Sequence, residues 1–226
     1  MWVISNTAIS LDGRIHTQDE RPPMLGSRRD LQRMRMLRAQ VDAVLVGGAT
    51  FRRWPIPTLP EDTALAQRDR PFWNIVVSRH LDIEPKATYI AEKRIKKLVL
   101  TTPMHKSPLF ETEIEVYPGN NIDINWIIET LDRRGIQRLM IEAGGDLLSQ
   151  FLRAGAVDEV YVTLCPVLIG GKGSASLVDG QGFRAADMPR MTLKQVEQVE
   201  DELYLHYLVQ KSSVRSPAAG EGSALR

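Results

Sequence analysis

An α/β fold is predicted, with a mostly parallel central sheet, helices on both faces and a C-terminal antiparallel hairpin. Three observations carry it. Short apolar runs alternate with helix-like segments up to about residue 160. Several of these runs stop at glycine or hydroxyl residues, as buried parallel strands do before a loop. Two late runs, 191–199 and 202–209, flank Glu200-Asp201 and read as a hairpin.

Trp2-Val3-Ile4-Ser5-Asn6 begins the first strand, and Ser10-Leu11-Asp12-Gly13-Arg14-Ile15 follows as a loop with an Asp-Gly turn. Ser27 is a candidate N-cap for a helix over 30–39, with Leu31, Met34, Leu37 and Met36 toward one face. Residues 41–46 form the next strand, and Gly47-Gly48-Ala49-Thr50 enters a short helix. The stretch 54–70 carries Pro55, Pro57 and Pro60 among many charges and reads as a surface excursion. Residues 73–77 are a strand ending at Ser78-Arg79, and 97–100 one ending at Thr101-Thr102. Ala87-Thr88-Tyr89-Ile90 and Glu115-Val116-Tyr117 are read as short strands. An amphipathic helix spans 124–134, with Gly135 beyond its end. Arg138-Leu139-Met140-Ile141 is a strand, Leu147 to Leu152 a helix, and 160–165 a strand. A single domain over 1–210 is expected, and 211–226, lacking apolar periodicity, is read as a disordered tail.

Composition narrows the function. A net charge of +1 argues against a surface built to neutralise nucleic-acid phosphates. The one cysteine, Cys165, excludes a disulfide framework and sits in an apolar run that reads as core. His16, His80, His105 and His206 show no paired ligand spacing, so no metal is expected. No run approaches the roughly 18 apolar residues of a membrane span, so a cytoplasmic enzyme is expected.

Ligands of open α/β sheets gather beyond the carboxyl ends of the strands. Four such ends here carry glycine, hydroxyl or charge: Gly47 to Thr50, Ser78-Arg79, Thr101-Thr102 and Glu142-Ala143-Gly144-Gly145. Two glycines between strand and helix let a ligand approach the backbone, where the helix start offers N–H groups to an anion. Glu142 sets a carboxylate beside that turn, to orient a sugar hydroxyl or to act as an acid if burial raises its pKa. Ser78 and Arg79 suit a phosphate monoester such as the 2′-phosphate of NADP. The G-x-G-x-x-G dinucleotide fingerprint and the P-loop lysine are both absent.

Five segments recur together in order: Ile9 to Ile15, Leu37 to Gly47, Ile141 to Gly145, Ala154 to Glu159, and Pro166 to Gly171. This set resembles the pyrimidine reductases of riboflavin biosynthesis, which also occur as the C-terminal half of a bifunctional deaminase-reductase. The resemblance covers roughly residues 1–210 and implies a dihydrofolate-reductase-like fold. It also implies NADPH as cofactor, a homodimer, and reduction of a ribosylaminopyrimidine 5′-phosphate to its ribityl form. By motif match, Ala8, Thr50, Ser78 and the run Gly144, Gly145, Asp146, Leu147, Leu148 would contact the cofactor. Arg38 would bind the substrate, including its phosphate, and Glu142 its polar part.

The chain departs from that family after Thr50. Phe51-Arg52-Arg53-Trp54-Pro55 stands where an Asp-Asp-Pro segment is common, leaving Arg52 or Arg53 to replace a lost basic contact. Asp30, in Arg29-Asp30-Leu31, resembles the carboxylate with which dihydrofolate reductases grip a pterin, and it also suits the dipole of a first helical turn. Two other readings therefore accompany the first: a reductase of folate or another substrate, and an NADPH-binding homologue without turnover.

Overall fold

The computed structural model describes residues 1–17, 25–80, 83–103 and 111–211. Of the expected tail, 211–226, only Lys211 is described, paired with Asp158 at 2.7 Å, and the rest lies outside the described residues, as does His105. The strands are β1 (Trp2–Ile9), β2 (Ala43–Gly47), β3 (Phe72–Val77), β4 (Ile95–Thr101), β5 (Glu113–Val116), β6 (Arg138–Ile141), β7 (Glu159–Leu164), β8 (Met191–Val199) and β9 (Glu202–Val209). The helices are α1 (Arg28–Ala39), α2 (Gly48–Arg53), α3 (Asp62–Ala66), α4 (Ala87–Ala91), α5 (Ile124–Asp132) and α6 (Gly145–Arg153).

Among the described residues nine strands share one sheet, in the order β5-β4-β3-β2-β6-β1-β7-β9-β8. Pairings from β5 through β7 are parallel, and β9 joins β7 and β8 antiparallel. Side-chain alternation along the strands divides the interior into two cores. Val3, Leu45, Ile75, Leu98, Leu139 and Ile141 face α5 and α6, where Ile127, Leu131, Leu148 and Phe151 pack. Their neighbours Ile4, Val44, Val76, Val99 and Met140 face the other way, against Leu37 of α1, Phe51 of α2, Leu65 of α3 and Tyr89 of α4.

The sequence-based reading differs from the structure in three places. Residues 87–90 form the helix α4, started by Tyr89 and Ile90 donating to the Lys86 carbonyl, with Tyr89 packed edge-on to Phe51 at 4.9 Å. An apolar run this short carries no periodicity that separates strand from helix. The stretch 54–70 contains α3, and Pro60 and Leu65 are buried. Met36 is exposed, off the buried stripe of α1.

Two of the recurring segments bind each other. Asp12 accepts from the backbone N–H of Ile169 and Gly170 at 3.0 and 2.7 Å, and the Ser10 hydroxyl donates to it. These bonds, the Ile169 N–H foremost, lower its carboxyl pKa to about 2. Further bonds, Leu11 N–H to Val167 O, Ile15 N–H to Ala175 O and Leu177 N–H to Gly13 O, continue the seam between the two loops. Among the described residues no helix is long and apolar enough to cross a membrane.

Phe151 is fully buried between α6 and the sheet. Phe151→Ala should therefore cost about 3–5 kcal/mol, read as a lower urea midpoint at unchanged slope.

Candidate active site

A cavity of about 590 Å³ opens beyond the carboxyl ends of β1, β2 and β6. Its wall includes Ala8, Asp30, Arg38, Thr50, Glu142, Gly144, Gly145 and Asp146, so the structure gathers eight of the twelve sequence-predicted residues. Ser78, Arg79, Leu147 and Leu148 are not part of this wall. Ser78 is buried at the end of β3, its N–H donating to the Leu100 carbonyl. The exposed Arg79 reaches Asn121 Oδ1 from Nη1 at 3.2 Å. Leu148 belongs to the core and Leu147 packs against it, with both N–H groups returning to the Gly144 carbonyl. Their side chains are anchors of α6, because the amphipathic pattern that makes the helix turns them inward.

α1 brings two charged residues to the cavity. Asp30, Met34 and Arg38, spaced four apart, form one stripe along it. The helix start is fixed by Ser27, whose Oγ accepts from the Arg29 and Asp30 N–H groups. Glu202 on β9 in turn accepts from the Ser27 N–H at 2.6 Å and from its hydroxyl at 2.8 Å.

Arg38 and Glu142 face each other. Arg38 Nε donates to Glu142 Oε1 at 2.7 Å and Nη2 to Oε2 at 2.6 Å, the two-pronged fit of guanidinium to carboxylate. Nη1 donates to the Leu59 carbonyl at 3.0 Å, tying the segment after α2 to the same ion pair. Arg38 is only 8% exposed. Its fork is therefore occupied, so a phosphate would have to compete with Glu142 for it. Arg53, at the end of α2, lines the cavity as an exposed cation with no hydrogen bond or ion pair among the described residues.

Asp30 sits in contrasting surroundings. Its Oδ1 accepts from the Thr163 hydroxyl at 2.6 Å, and Thr163 Oγ1 accepts from Arg33 Nη1 at 3.0 Å. No cation lies within ion-pair distance of Asp30 among the described residues. Burial is the largest influence on its carboxyl and pushes the pKa up, with Glu202 and Glu142 adding to the rise. Thr163 and Arg33 oppose it.

The start of α6 is half closed. A Cβ on Gly145 would lie 2.4 Å from the Ser176 carbonyl oxygen, so only glycine lets the 176–179 loop pack there. At Gly144 a Cβ would meet nothing within 4 Å, and this is the side open to a ligand. The carboxylates of Asp146 and Asp179 flank it on the cavity wall.

Several wall residues escaped the sequence reading. Asn6 Oδ1 is buried without a hydrogen-bond partner among the described residues. Asn74 accepts from the Thr58 N–H and hydroxyl and donates to its carbonyl, which brings Ile56, Pro57 and Thr58 onto the wall. The available signal was a polar residue at a buried position, Asn74 in the otherwise apolar β3 and Asn6 in the Ser5-Asn6-Thr7 run of β1. Cys165 is buried as expected, its thiol pushed up to about 12 by burial.

Arg38→Ala strands Glu142 without its cation and should cost about 3–5 kcal/mol by denaturant unfolding. Asp30 binds its proton more tightly folded than unfolded, so it lowers stability as pH rises above the unfolded value of about 3.9. Asp30→Asn should accordingly raise the thermal midpoint at neutral pH and lose that advantage below about pH 3.

The RibD C-terminal domain model matches residues 1–205. The "2,5-diamino-6-ribosylamino-4(3H)-pyrimidinone 5′-phosphate reductase" of Methanothermobacter thermautotrophicus is 30% identical over 213 residues, 92% of this chain and 98% of that protein. A solved "pyrimidine reductase-like protein" from Corynebacterium diphtheriae superposes with a TM-score of 0.76 at 18% identity, covering 93% of this chain and 92% of its own. An Enterococcus faecalis dihydrofolate reductase, solved with NADP(H) and RAB-propyl, reaches 0.50 at 13% identity over 92% of this chain and 96% of its own. These two likenesses concern the fold alone, whereas the family match spans most of the chain and takes in both sides of the cavity. This chain belongs to the RibD C-terminal domain family.

Proposed function

We propose that this chain is an NADPH-dependent reductase that converts the ribosylamino group of a ribosylaminopyrimidine 5′-phosphate to ribitylamino in riboflavin biosynthesis. The observation that carries the reading is the Arg38–Glu142 pair on the wall of a cavity beside the open Gly144 turn. The name of the Methanothermobacter relative supports the 2,5-diaminopyrimidinone form of the substrate.

The wall fits the cofactor. The cavity lies within the roughly 300–1,000 Å³ of small-molecule sites, and the buried Asn6 Oδ1 is an acceptor lacking a donor. Ala8, Thr50, Gly144, Gly145 and Asp146 would hold it, with Ser78 and Arg79 at the β3 end taking the 2′-phosphate. Bound there, the nicotinamide supplies a hydride to the sugar C1′.

The protein's own residues bind and orient. Glu142, held at both oxygens by Arg38, presents acceptors to the sugar hydroxyls, so Arg38 positions the carboxylate. Arg53 takes the 5′-phosphate, since among the described residues it is the arginine of the wall whose side-chain donors are uncommitted. Trp54, Ile56 and Pro57 give the heterocycle an apolar wall and exclude water.

A single reductase domain over 1–210, a homodimer and a cytoplasmic location complete the reading. The edge strand β8 supports the dimer: Leu193 and Val196 are 50% and 55% exposed on an outer edge that pairs with no described strand. One observation favours a second reading. Asp30 faces the cavity beside that apolar wall, as a folate reductase would require.

Following the absorbance of the reduced nicotinamide with each ribosylaminopyrimidine phosphate and with dihydrofolate tests both. Turnover of the diaminopyrimidinone phosphate is expected, and turnover of dihydrofolate alone would replace the reading with the second. Cofactor binding without any turnover would mark a silent homologue. Arg79→Ala should weaken NADPH about tenfold or more and leave NADH unchanged, since only NADPH carries the 2′-phosphate.

A further inference from the structure

Two carboxyl groups line one cavity in opposite surroundings. Glu142 accepts two hydrogen bonds from Arg38, so toward a ligand it is an acceptor. Among the described residues Asp30 has no ion-pair partner and its side chain accepts one hydrogen bond, from Thr163 through Oδ1; the main chain covers it on one side. A Cβ on Gly26 would lie 2.1 Å from Asp30 Oδ2, so the glycine lets the backbone close over the carboxyl while its other side faces the cavity. Paired carboxyl groups in unlike environments divide into acid and acceptor.

The reduction proposed above needs one proton as well as a hydride, because a closed ribosylamine offers no C=N bond at C1′. Resting on that reading, we infer that Asp30 is the acid that opens the ribose ring. Its carboxyl proton passes to the ring oxygen O4′. The C1′–O4′ bond breaks with its electron pair on that oxygen, and the lone pair of the exocyclic nitrogen forms the C1′=N bond of an iminium. Hydride addition at C1′ returns the π pair to nitrogen as a secondary amine, and Asp30 regains its proton from water. The acceptor Glu142 stands beside the cation formed between these steps.

The groups facing Asp30 are consistent with an acid. Glu202 and Tyr204 on β9 and Glu142 after β6 are acidic, as is Cys165 just beyond β7. Arg33, the nearest cation on its own helix, is engaged by Thr163 and lies over the rings of Tyr161 and Tyr204. Arg38 is engaged by Glu142, and His16 shares the cavity wall. Desolvation raises the Asp30 carboxyl pKa and keeps its proton in place at higher pH.

Ring opening can be read without the cofactor, because an opened ribosylamine recloses to either anomer. Proton NMR exchange between the two C1′ anomers of the ribosylaminopyrimidine phosphate, with enzyme and no NADPH, isolates this step. The wild type should accelerate exchange, and the acceleration should fall as pH rises through the titration of Asp30. Asp30→Asn should reduce the acceleration at least about 100-fold while folding as well as the wild type, and Asp30→Glu should restore part of it. Thr163→Val, which removes the hydroxyl from Oδ1 and leaves the carboxyl, should move the pH profile upward. Absence of acceleration by the wild type, or undiminished exchange in Asp30→Asn, would overturn the inference. Anomer exchange that depends on Asp30, in an enzyme that never oxidises NADPH, would overturn the functional reading and leave the acid in place.

Discussion

The ion pair between Arg38 and Glu142 is the constraint on which the cavity depends. It joins the last turn of α1 to the end of β6, and through the Leu59 carbonyl it also fixes the segment after α2. Three parts of the chain far apart in sequence thus meet at one guanidinium. Burying this charge carries a desolvation cost that only two-pronged pairing and the additional carbonyl acceptor offset. A pair retained under such conditions specifies geometry, and here the geometry is the wall of a cavity.

The sheet supplies the platform for that pair. Seven parallel strands put their carboxyl ends along one edge, and the glycine turn after β6 keeps part of this edge open. The loops after β1 and β7 are locked together by Asp12 and by the backbone seam running from Leu11 to Leu177. They bring Ile15, His16, Ala175 and Asp179 to the wall. Hydrogen bonds that join the described parts of these loops hold wall residues in place, which lowers the ordering cost of aligning reactants.

Much of this was legible in the sequence, for definable reasons. Parallel strands are apolar throughout and end abruptly, so 41–46, 73–77, 97–100 and 138–141 announced themselves within a residue or two of the observed bounds. Ser27 and Gly135 marked helix ends through cap chemistry that is local by nature. What stayed hidden depends on tertiary partners. Residues 87–90 became helical because Tyr89 packs on Phe51, and 54–70 joined the cavity through bonds to Asn74 and Arg38. The mutual pairing of Arg38 and Glu142 lay equally beyond sequence, since two residues 104 positions apart carry no local trace of each other. Asp30 shows the same limit. Its place in a first helical turn suits a dipole, yet the strand across from it determines its surroundings.

In the proposed function this cavity aligns a reduced nicotinamide with the sugar carbon of a ribosylaminopyrimidine phosphate. Incubating the enzyme with that substrate and NADPH deuterated at the transferable C4 position, then locating the label by NMR, tests it most directly. A single deuterium on C1′ of a ribityl product is the expected result. A product without deuterium, or with the label on the heterocycle, would contradict the account.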